Sequence, residues 1–427
     1  MSTPGSPATH PTQTTPTGAP DLRGQLAQVI LATLASATGF WAWMSIAPMQ
    51  KSYAQSMGLS ESQIAMMLAT PVLVGSLGRI IVGALTDRLG GRKMFTAILL
   101  LAAPAVVLVS IAGQTQNYPL LIGSGFYLGV AGTIFAVGIP FSSAWYAAEK
   151  RGFANGVFGM GMIGTAVAAF VTPRLVKAAG YAPAHYIIAA ILVAVALLVW
   201  FLMKESPAWQ PQVNPIVPRI VSALKLAVTW QMCFLYAIVF GGFVAFSTFL
   251  PKYLTTVYPH LDAVAAANRM GSFVIAAVIA RPIGGVLADR VGPKIVSLLA
   301  LAGVAVTALV ASTQPEEGAL TGITFLLMAA CLGLGQGSIF GWVPRIAPKD
   351  KVGAVSGTVA AAGGLGGYFP PLVMAATYDA VNHSYAKGLW ALVATAVAGL
   401  LLTLLLKQNR EAAAAEPGVA THDATRP

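Results

Sequence analysis

Two arginines lie inside stretches that otherwise carry no charge, and they occupy matching positions in the two halves of the chain. Arg79 lies in the segment 78–90 and Arg281 in the segment 280–292, and Arg, Gly, Leu, Asp, Arg and Gly each recur between these segments after 202 residues. A charged side chain in a bilayer costs roughly 2.5–3.5 kcal/mol on insertion scales and is kept where it meets a partner or a cavity. Because arginine does not release its proton, the pair predicts a binding site for an anion.

The composition indicates that these segments lie in a membrane. Hydrophobic residues make up 56% of the 427 residues and charged residues 9%, whereas soluble domains carry about 25% charged residues. Basic cytoplasmic loops account for the net charge of +11, so we expect no nucleic-acid partner. Cys233 and Cys331 are the only cysteines, and their spacing gives neither a disulfide framework nor a metal site. We expect no cofactor and no metal.

Twelve apolar stretches approach the length of about 20 residues that a membrane-spanning helix needs. They cover about 26–47, 64–86, 95–112, 120–147, 153–176, 185–203, 230–250, 270–288, 295–313, 320–343, 353–377 and 389–406. A polar segment at 204–229 separates six of these stretches from the other six. We therefore predict an all-α membrane protein of twelve transmembrane helices in two pseudo-symmetric six-helix halves.

The predicted domains follow from this division. The N-terminal bundle covers 23–203, the linker 204–229 and the C-terminal bundle 230–406, with tails at 1–22 and 407–427. The tails are predicted to be disordered because they lack apolar residues that could form a core.

The connecting loops indicate the orientation, because cytoplasmic loops carry an excess of Lys and Arg. One set of loops holds Arg88, Arg92, Lys93, Lys150, Arg151, Lys204, Arg219, Lys225, Arg290, Lys294, Arg345, Lys349, Lys351 and Lys407. The opposite set holds only Lys51, Arg174, Lys177, Lys252, Arg269 and Lys387. Both tails and the linker are therefore predicted to be cytoplasmic, with the helices in the cell (inner) membrane.

Further repeats support a transporter rather than an enzyme. The segment 132–135 resembles 337–340, and internal repeats of this kind place a substrate site near the membrane midplane between the halves. No paired carboxylates, metal cluster or activated nucleophile occur at matching depth. No phosphate-binding loop of a nucleotide-driven pump is present either.

The loop after the second predicted helix, at 83–93, resembles the cytoplasmic motif of the major facilitator superfamily. Its glycines allow close helix contact, and its acid can pair with basic groups at helix ends. Helix packing or gating is accordingly assigned to Asp87, Arg88, Asp289 and Arg290. The resemblance implies the fold of that superfamily and says nothing about the substrate.

A narrower resemblance is to the nitrate/nitrite porter family. It is carried by the segments 71–79, 159–166, 240–251, 280–285 and 361–367, of which the two glycine-rich runs resemble the nitrate signatures of that family. The resemblance implies a monomeric secondary transporter of nitrate or nitrite, with a role in nitrate assimilation. It also implies that the two embedded arginines hold the anion.

The same resemblance suggests further site residues. Phe135 matches an aromatic wall on the fourth helix, while Phe243 and Phe246 are candidates on the seventh, with lipid-facing or core aromatics as the alternative. Met162 and Gln336 stand where the family usually has Asn. Further hydrogen-bond donors are expected from Ser247 and Thr248, and an interfacial position from Trp41 and Trp43.

The glycines of the fifth and eleventh helices have two open interpretations, close packing or gating of helices and a direct role at the substrate. They are Gly159, Gly161, Gly164, Gly363, Gly364, Gly366 and Gly367. For the arginines the alternative is a structural role, in which they pair with Asp87 and Asp289. Each acid lies eight residues further on, about 12 Å along a helix, so we favour substrate binding.

The coupling mode and the exact anion stay open at this point. No predicted helix contains Asp, Glu or His away from its ends, and His185, His260 and His383 are expected in loops. Because proton-coupled transporters commonly use such groups, the pattern favours anion exchange over proton symport. Formate, oxalate or a monocarboxylate are the alternative substrates, although the eleventh helix lacks a lysine that would suit a second negative charge.

Overall fold

The computed structural model describes residues 24–146, 151–211, 216–348 and 352–406, and these segments form almost only helices. Twelve helical spans in this part of the chain are long and apolar enough to cross a membrane, as the sequence predicts. They are α1 (Gln25–Met57), α2 (Glu61–Leu89), α3 (Gly91–Gln114), α4 (Tyr118–Ala144), α5 (Ala154–Ala179), α6 (Tyr181–Leu202), α7 (Ala227–Val257), α8 (Ala263–Val291), α9 (Pro293–Ser312), α10 (Ala319–Val343), α11 (Ala354–Ala376) and α12 (Ala386–Leu405). The predicted tails at 1–22 and 407–427 lie outside the described residues.

Local sequence signals set several helix boundaries. Ser60 caps α2 through a reciprocal capping box with Gln63, which satisfies backbone groups that a helix start leaves unpaired. Asp262 caps α8 through the amide of Ala265. The junctions after α2 and after α8 each turn at a glycine with positive φ, Gly90 at 87° and Gly292 at 99°. Only glycine adopts that conformation freely, so the internal repeat extends to the backbone of both junctions.

Several spans are interrupted, and the interruptions bear on the site. In α4 the regular helix Tyr118–Gly132 ends before a second helix begins at Phe135. In α5 the residues Met160–Ile163 form a 3₁₀ turn. The first helix of α11 ends at Leu365, before Phe369–Ala376 begins. Short 3₁₀ or broken stretches inside a helix often mark functional positions.

The outer surface of the bundle is apolar. Exposed side chains include Phe201, Leu299 and Leu405, and an apolar belt of this kind suits a lipid environment rather than water. The twelve spans and this surface make the chain a multi-pass membrane protein. The short helix Ile216–Leu224 lies in the predicted linker, while the exact domain boundaries stay predictions.

Candidate functional site

Arg79 lies in the interior of α2 and is only 4% exposed. Its Nε donates to the carbonyl oxygen of Gly132 and its Nη1 to that of Ala360, both at 3.4 Å. Both distances are longer than those of ordinary N–H···O hydrogen bonds, and Nη2 is buried without any hydrogen-bond partner. The guanidinium therefore keeps donor capacity that the protein itself does not use.

Aromatic rings surround this guanidinium. Its Cζ lies 5.8 Å from the ring centre of Trp43, 5.5 Å from that of Phe135 and 5.3 Å from that of Phe240. Such distances allow cation–π attraction, which stabilises a charge without consuming its hydrogen-bond donors. The break in α4 between Gly132 and Phe135 supplies both a carbonyl oxygen and a ring to the same arginine.

Arg281, on α8, approaches the same place from the second half. Its Nη1 lies 2.9 Å from Sδ of Met162 and its Nη2 lies 3.4 Å from the hydroxyl of Tyr236. Its Cζ lies 5.3 Å from the ring centre of Phe135. Phe135 therefore contacts both guanidiniums, and the two positive charges share a single aromatic residue.

No acid neutralises either arginine in the described part of the chain. The ion pairs there join Lys252 with Glu61, His260 and Arg269 with Glu317, and Arg345 with Asp289. The alternative in which Arg281 pairs with Asp289 is therefore wrong, because that carboxylate binds Arg345 at 2.5 Å. Two neighbouring positive charges without a counterion among the described residues form a site of complementary charge for a small anion.

On α7 the residues at the site differ from those that we expected. Phe243 packs on Phe240 and Phe273, and Phe246 packs on Phe273 and Phe325. Neither ring is within cation–π distance of an arginine whose side chain the structure describes. The residues that contact the guanidiniums are Tyr236 and Phe240, which sequence reasoning missed. Their spacing of four residues places both on one helix face, but Phe243 and Phe246 share a face in the same way, so the spacing alone does not select them.

The additional donors are occupied by the protein. Ser247 donates to the carbonyl oxygen of Phe243, four residues earlier on its own helix. Thr248 likewise donates to backbone oxygens of the preceding turn. The Gln336 amide donates to the Val239 carbonyl oxygen at 3.4 Å. In this arrangement the three side chains hold helices rather than point free donors at an anion.

Most of the glycines in the two signature runs permit close helix contact. On α5, a Cβ at Gly161 would lie 2.6 Å from Cβ of Ser36, and one at Gly164 would meet the backbone of Ala37. On α11, Gly363, Gly366 and Gly367 face α7 with similarly little space. Such spacing is typical of small residues between membrane helices.

Two glycines behave differently from the rest. Gly364 faces α2, where a Cβ would lie 2.5 Å from Oγ of Ser76 and 3.0 Å from Nη1 of Arg79. This glycine therefore shapes the surroundings of the arginine itself. At Gly159 a Cβ would meet open space, so the packing role expected there is not required by its neighbours.

Two other expectations are wrong. Trp43 is 2% exposed and donates its indole N–H to the Pro71 carbonyl oxygen at 2.9 Å, so it lies inside the bundle beside Arg79 and not in an interfacial belt. His185 lies within α6 rather than in a loop, and it is buried with Nδ1 2.8 Å from the Tyr181 carbonyl oxygen. In both cases the apolar flanking residues concealed an inward-facing polar group.

Comparison with known proteins identifies the class of protein that this fold and site define. Residues 29–371 match the Major Facilitator Superfamily, with a second match over 256–422. The chain belongs to the Major Facilitator Superfamily, and it is a membrane transporter rather than an enzyme. The resemblance to the nitrate/nitrite porter family is confirmed by the relatives described next.

The chain is 51% identical to a protein of Mycobacterium tuberculosis named a probable nitrate/nitrite transporter, NarK2, over 90% of this chain and 97% of that protein. It is 34% identical to the nitrite extrusion protein of Bacillus subtilis over 88% and 93% of the two chains. It is 32% identical to the probable nitrate transporter NarT of Staphylococcus epidermidis over 92% and 99%.

Solved structures show the same fold. A bacterial homologue of the human lysosomal transporter Spinster superposes with a TM-score of 0.66 at 16% identity. The match covers 91% of this chain and 97% of the other. At this identity the similarity shows the fold alone.

Proposed function

We propose that this protein carries nitrate and nitrite across the membrane by alternating access, with the anion held between Arg79 and Arg281. The relatives named as nitrate or nitrite transporters support the substrate. The observation that carries the proposal is the pair of guanidiniums on one aromatic ring, without an acid partner among the described residues.

The chemistry of the site suits a small planar oxyanion. A guanidinium presents paired donors in one plane and can bind two oxygens at once. Arg79 has a free Nη2, and the hydroxyl of Tyr236 lies near Nη2 of Arg281. Phe135 supplies a flat apolar surface between the two donors. Arg79 is buried from solvent, so the attraction between anion and guanidinium is stronger there than in water.

The charges favour exchange of one anion for another. An empty site holds two positive charges, and a bound monovalent anion cancels one of them. To reorient while empty, the carrier would have to enclose two unpaired cations, which is costly in a low-dielectric interior. In the described residues Arg79 is the one buried side chain with a permanent charge, and no Asp or Glu is buried. We therefore propose nitrate–nitrite exchange, in which His185, which packs on Tyr181, takes no part.

The proposal includes the topology. Both termini and the linker lie in the cytoplasm, the helices lie in the cell (inner) membrane and the protein acts as a monomer. The support is the excess of Lys and Arg in one set of loops. The ends of α1, α3, α5, α7, α9 and α11 then face outward.

Anion uptake into proteoliposomes tests substrate and coupling together. Purified protein is reconstituted with nitrite, formate or no permeant anion trapped inside, and nitrate uptake is followed with and without a pH gradient. We expect uptake that requires trapped nitrite and does not respond to the pH gradient. Uptake driven by the pH gradient alone would refute exchange. Transport of formate or oxalate without nitrate or nitrite would refute the substrate.

A further inference from the structure

The sulfur of Met162 accepts a hydrogen bond from Arg281, one of the two arginines proposed to bind the anion. Met162 is 1% exposed in the 3₁₀ turn of α5, and its Sδ lies 2.9 Å from Nη1 of Arg281. A thioether is a weak, uncharged acceptor. The turn itself is fixed, because Gly161 packs against α1 with little space. The methionine side chain, by contrast, has three rotatable bonds and adapts to its surroundings.

We propose that Met162 is a positioning residue that holds the Arg281 guanidinium while the site is empty and gives way when an oxyanion binds. The proposal rests on the anion site proposed above. Hydrogen bonds to a charged acceptor are roughly twice as strong as those to a neutral one, so an oxyanion displaces the sulfur and the sulfur does not displace the anion. Met162 thereby lowers the affinity for the anion and speeds its release.

Isosteric substitution separates this role from packing. Met162→Leu nearly conserves the volume of the apolar side chain but removes the sulfur that accepts the hydrogen bond. Met160→Leu is the matched control, because Met160 lies in the same turn and is 52% exposed. Nitrate binding is measured by calorimetry on purified protein in nanodiscs, with thermal unfolding in parallel.

We expect Met162→Leu to bind nitrate about threefold to tenfold more tightly than wild type, which corresponds to the loss of one weak competing hydrogen bond. Met160→Leu should match wild type, and the melting temperatures should agree. A merely structural methionine would instead give weaker binding and lower stability in Met162→Leu. Unchanged or weaker binding by Met162→Leu overturns this proposal alone, whereas a wild type that binds neither nitrate nor nitrite overturns the proposed function with it.

A second, independent set of contacts joins the two halves at the end of the bundle that the proposed topology places outside the cell. Glu61, at the start of α2, binds Nζ of Lys252 through Oε1 at 2.7 Å. Its Oε2 accepts a hydrogen bond from the hydroxyl of Tyr385, also at 2.7 Å. Both partners belong to the second half, so one carboxylate of the first half holds two elements of the other, α7 and the start of α12.

Further contacts cross between the halves at the same end. Nη1 of Arg174 on α5 donates to Oδ1 of Asn268 on α8 at 2.9 Å, and Nζ of Lys51 donates to the Leu261 carbonyl oxygen at 3.3 Å. By contrast, the described cytoplasmic-side pair Arg345–Asp289 lies within the second half.

We infer that the Glu61 cluster, defined as Glu61, Lys252 and Tyr385, is the outer gate of the transporter. Its three groups must separate each time the site opens to the outside. The Lys252 side chain is 13% exposed and that of Glu61 30%, so the pair is partly withdrawn from water and screened less than a surface pair.

Cysteine labelling measures the opening of this gate. Thr248 lies one turn before Lys252 on α7, on the side of the gate nearer the arginines, and is 3% exposed. A cysteine at this position therefore reports whether a reagent can enter from the outside. The experiment uses Thr248→Cys with Cys233→Ser and Cys331→Ser, and an impermeant maleimide applied to right-side-out vesicles. Glu317→Gln is the matched control, because Glu317 binds Arg269 and His260 within the second half.

We expect Glu61→Gln to raise the labelling rate about tenfold, since a charged hydrogen bond and an ion pair are lost together. Glu317→Gln should leave the rate unchanged. The exchange Glu61→Lys with Lys252→Glu should restore slow labelling. Equal rates in wild type and Glu61→Gln, or equal acceleration by Glu317→Gln, would overturn the gate.

Discussion

Replacement of Gly364 by alanine tests how closely the fold determines the position of the substrate arginine. The added Cβ would lie 2.5 Å from Oγ of Ser76 and 3.0 Å from Nη1 of Arg79. Ser76 is fully buried and bonded to the Val72 carbonyl oxygen, so it has little room to move. Relief of both contacts moves α11 away from α2 and displaces the guanidinium, so the hydrogen bond from Arg79 Nη1 to the Ala360 carbonyl oxygen on α11 lengthens.

The magnitude follows from the hydrogen bond to the anion that a displaced Arg79 guanidinium no longer makes. One charge-assisted hydrogen bond contributes about 1.5–3 kcal/mol, and each 1.4 kcal/mol corresponds to tenfold in affinity. We expect Gly364→Ala to weaken nitrate binding by about ten- to a hundredfold in calorimetry on purified protein. Overpacking should also destabilise the fold by about 1–3 kcal/mol.

Gly357→Ala is the matched control on the same helix. A Cβ at Gly357 meets no atom within 4 Å, so both affinity and melting temperature should match wild type. Wild-type affinity in Gly364→Ala, or an equal loss in Gly357→Ala, would refute the claim that Gly364 sets the position of Arg79.

Three further predictions concern other parts of the molecule. Phe240→Leu should weaken nitrate binding several-fold, because it removes a cation–π contact of about 1 kcal/mol. Phe243→Leu should leave nitrate affinity unchanged. If calorimetry showed a loss of affinity in Phe243→Leu and none in Phe240→Leu, the observed register of α7 would be contradicted. Glu205→Gln should lower the melting temperature. Glu205 Oε1 accepts a hydrogen bond of 2.7 Å from the backbone amide of Arg92 at the start of α3, and a negative charge stabilises a helix start. An unchanged melting temperature would exclude this role. The pKa of the Glu317 carboxyl lies below its ordinary value of 4.5, chiefly because of its hydrogen bond from Arg269. Its contribution to stability is therefore present above about pH 4.5 and is lost as the pH falls through the lowered pKa. Thermal unfolding should be less sensitive to acid in Glu317→Gln, and identical acid profiles would contradict the ion pair.

The sequence predicts the twelve spans because length and hydropathy alone determine them. The internal repeat also places Arg79 and Arg281 at equal depth, and the family resemblance adds Phe135 to the same site. The sequence does not predict which face of α7 meets the arginines, since that helix is apolar all round and Phe243 and Phe246 satisfy the same pattern as Tyr236 and Phe240.

Other misses have a related physical cause. Trp43 looks interfacial because tryptophan is enriched at membrane surfaces, yet the bundle buries it where its indole N–H finds the Pro71 carbonyl oxygen. The contact of Met162 with Arg281 depends on a 3₁₀ turn inside α5. Hydropathy carries no signal for such a turn, since a helix and a 3₁₀ turn present nearly the same apolar composition.

The most direct test of the central claim is nitrate–nitrite exchange in proteoliposomes by wild type, Arg79→Lys and Arg281→Lys. Lysine keeps the charge but loses the planar pair of donors, so loss of bidentate contact should reduce exchange by about a hundredfold or more in each variant. Arg269→Lys, in the ion pair with Glu317, should exchange like wild type. Wild-type exchange by Arg79→Lys or Arg281→Lys would contradict the claim that the two guanidiniums bind the anion.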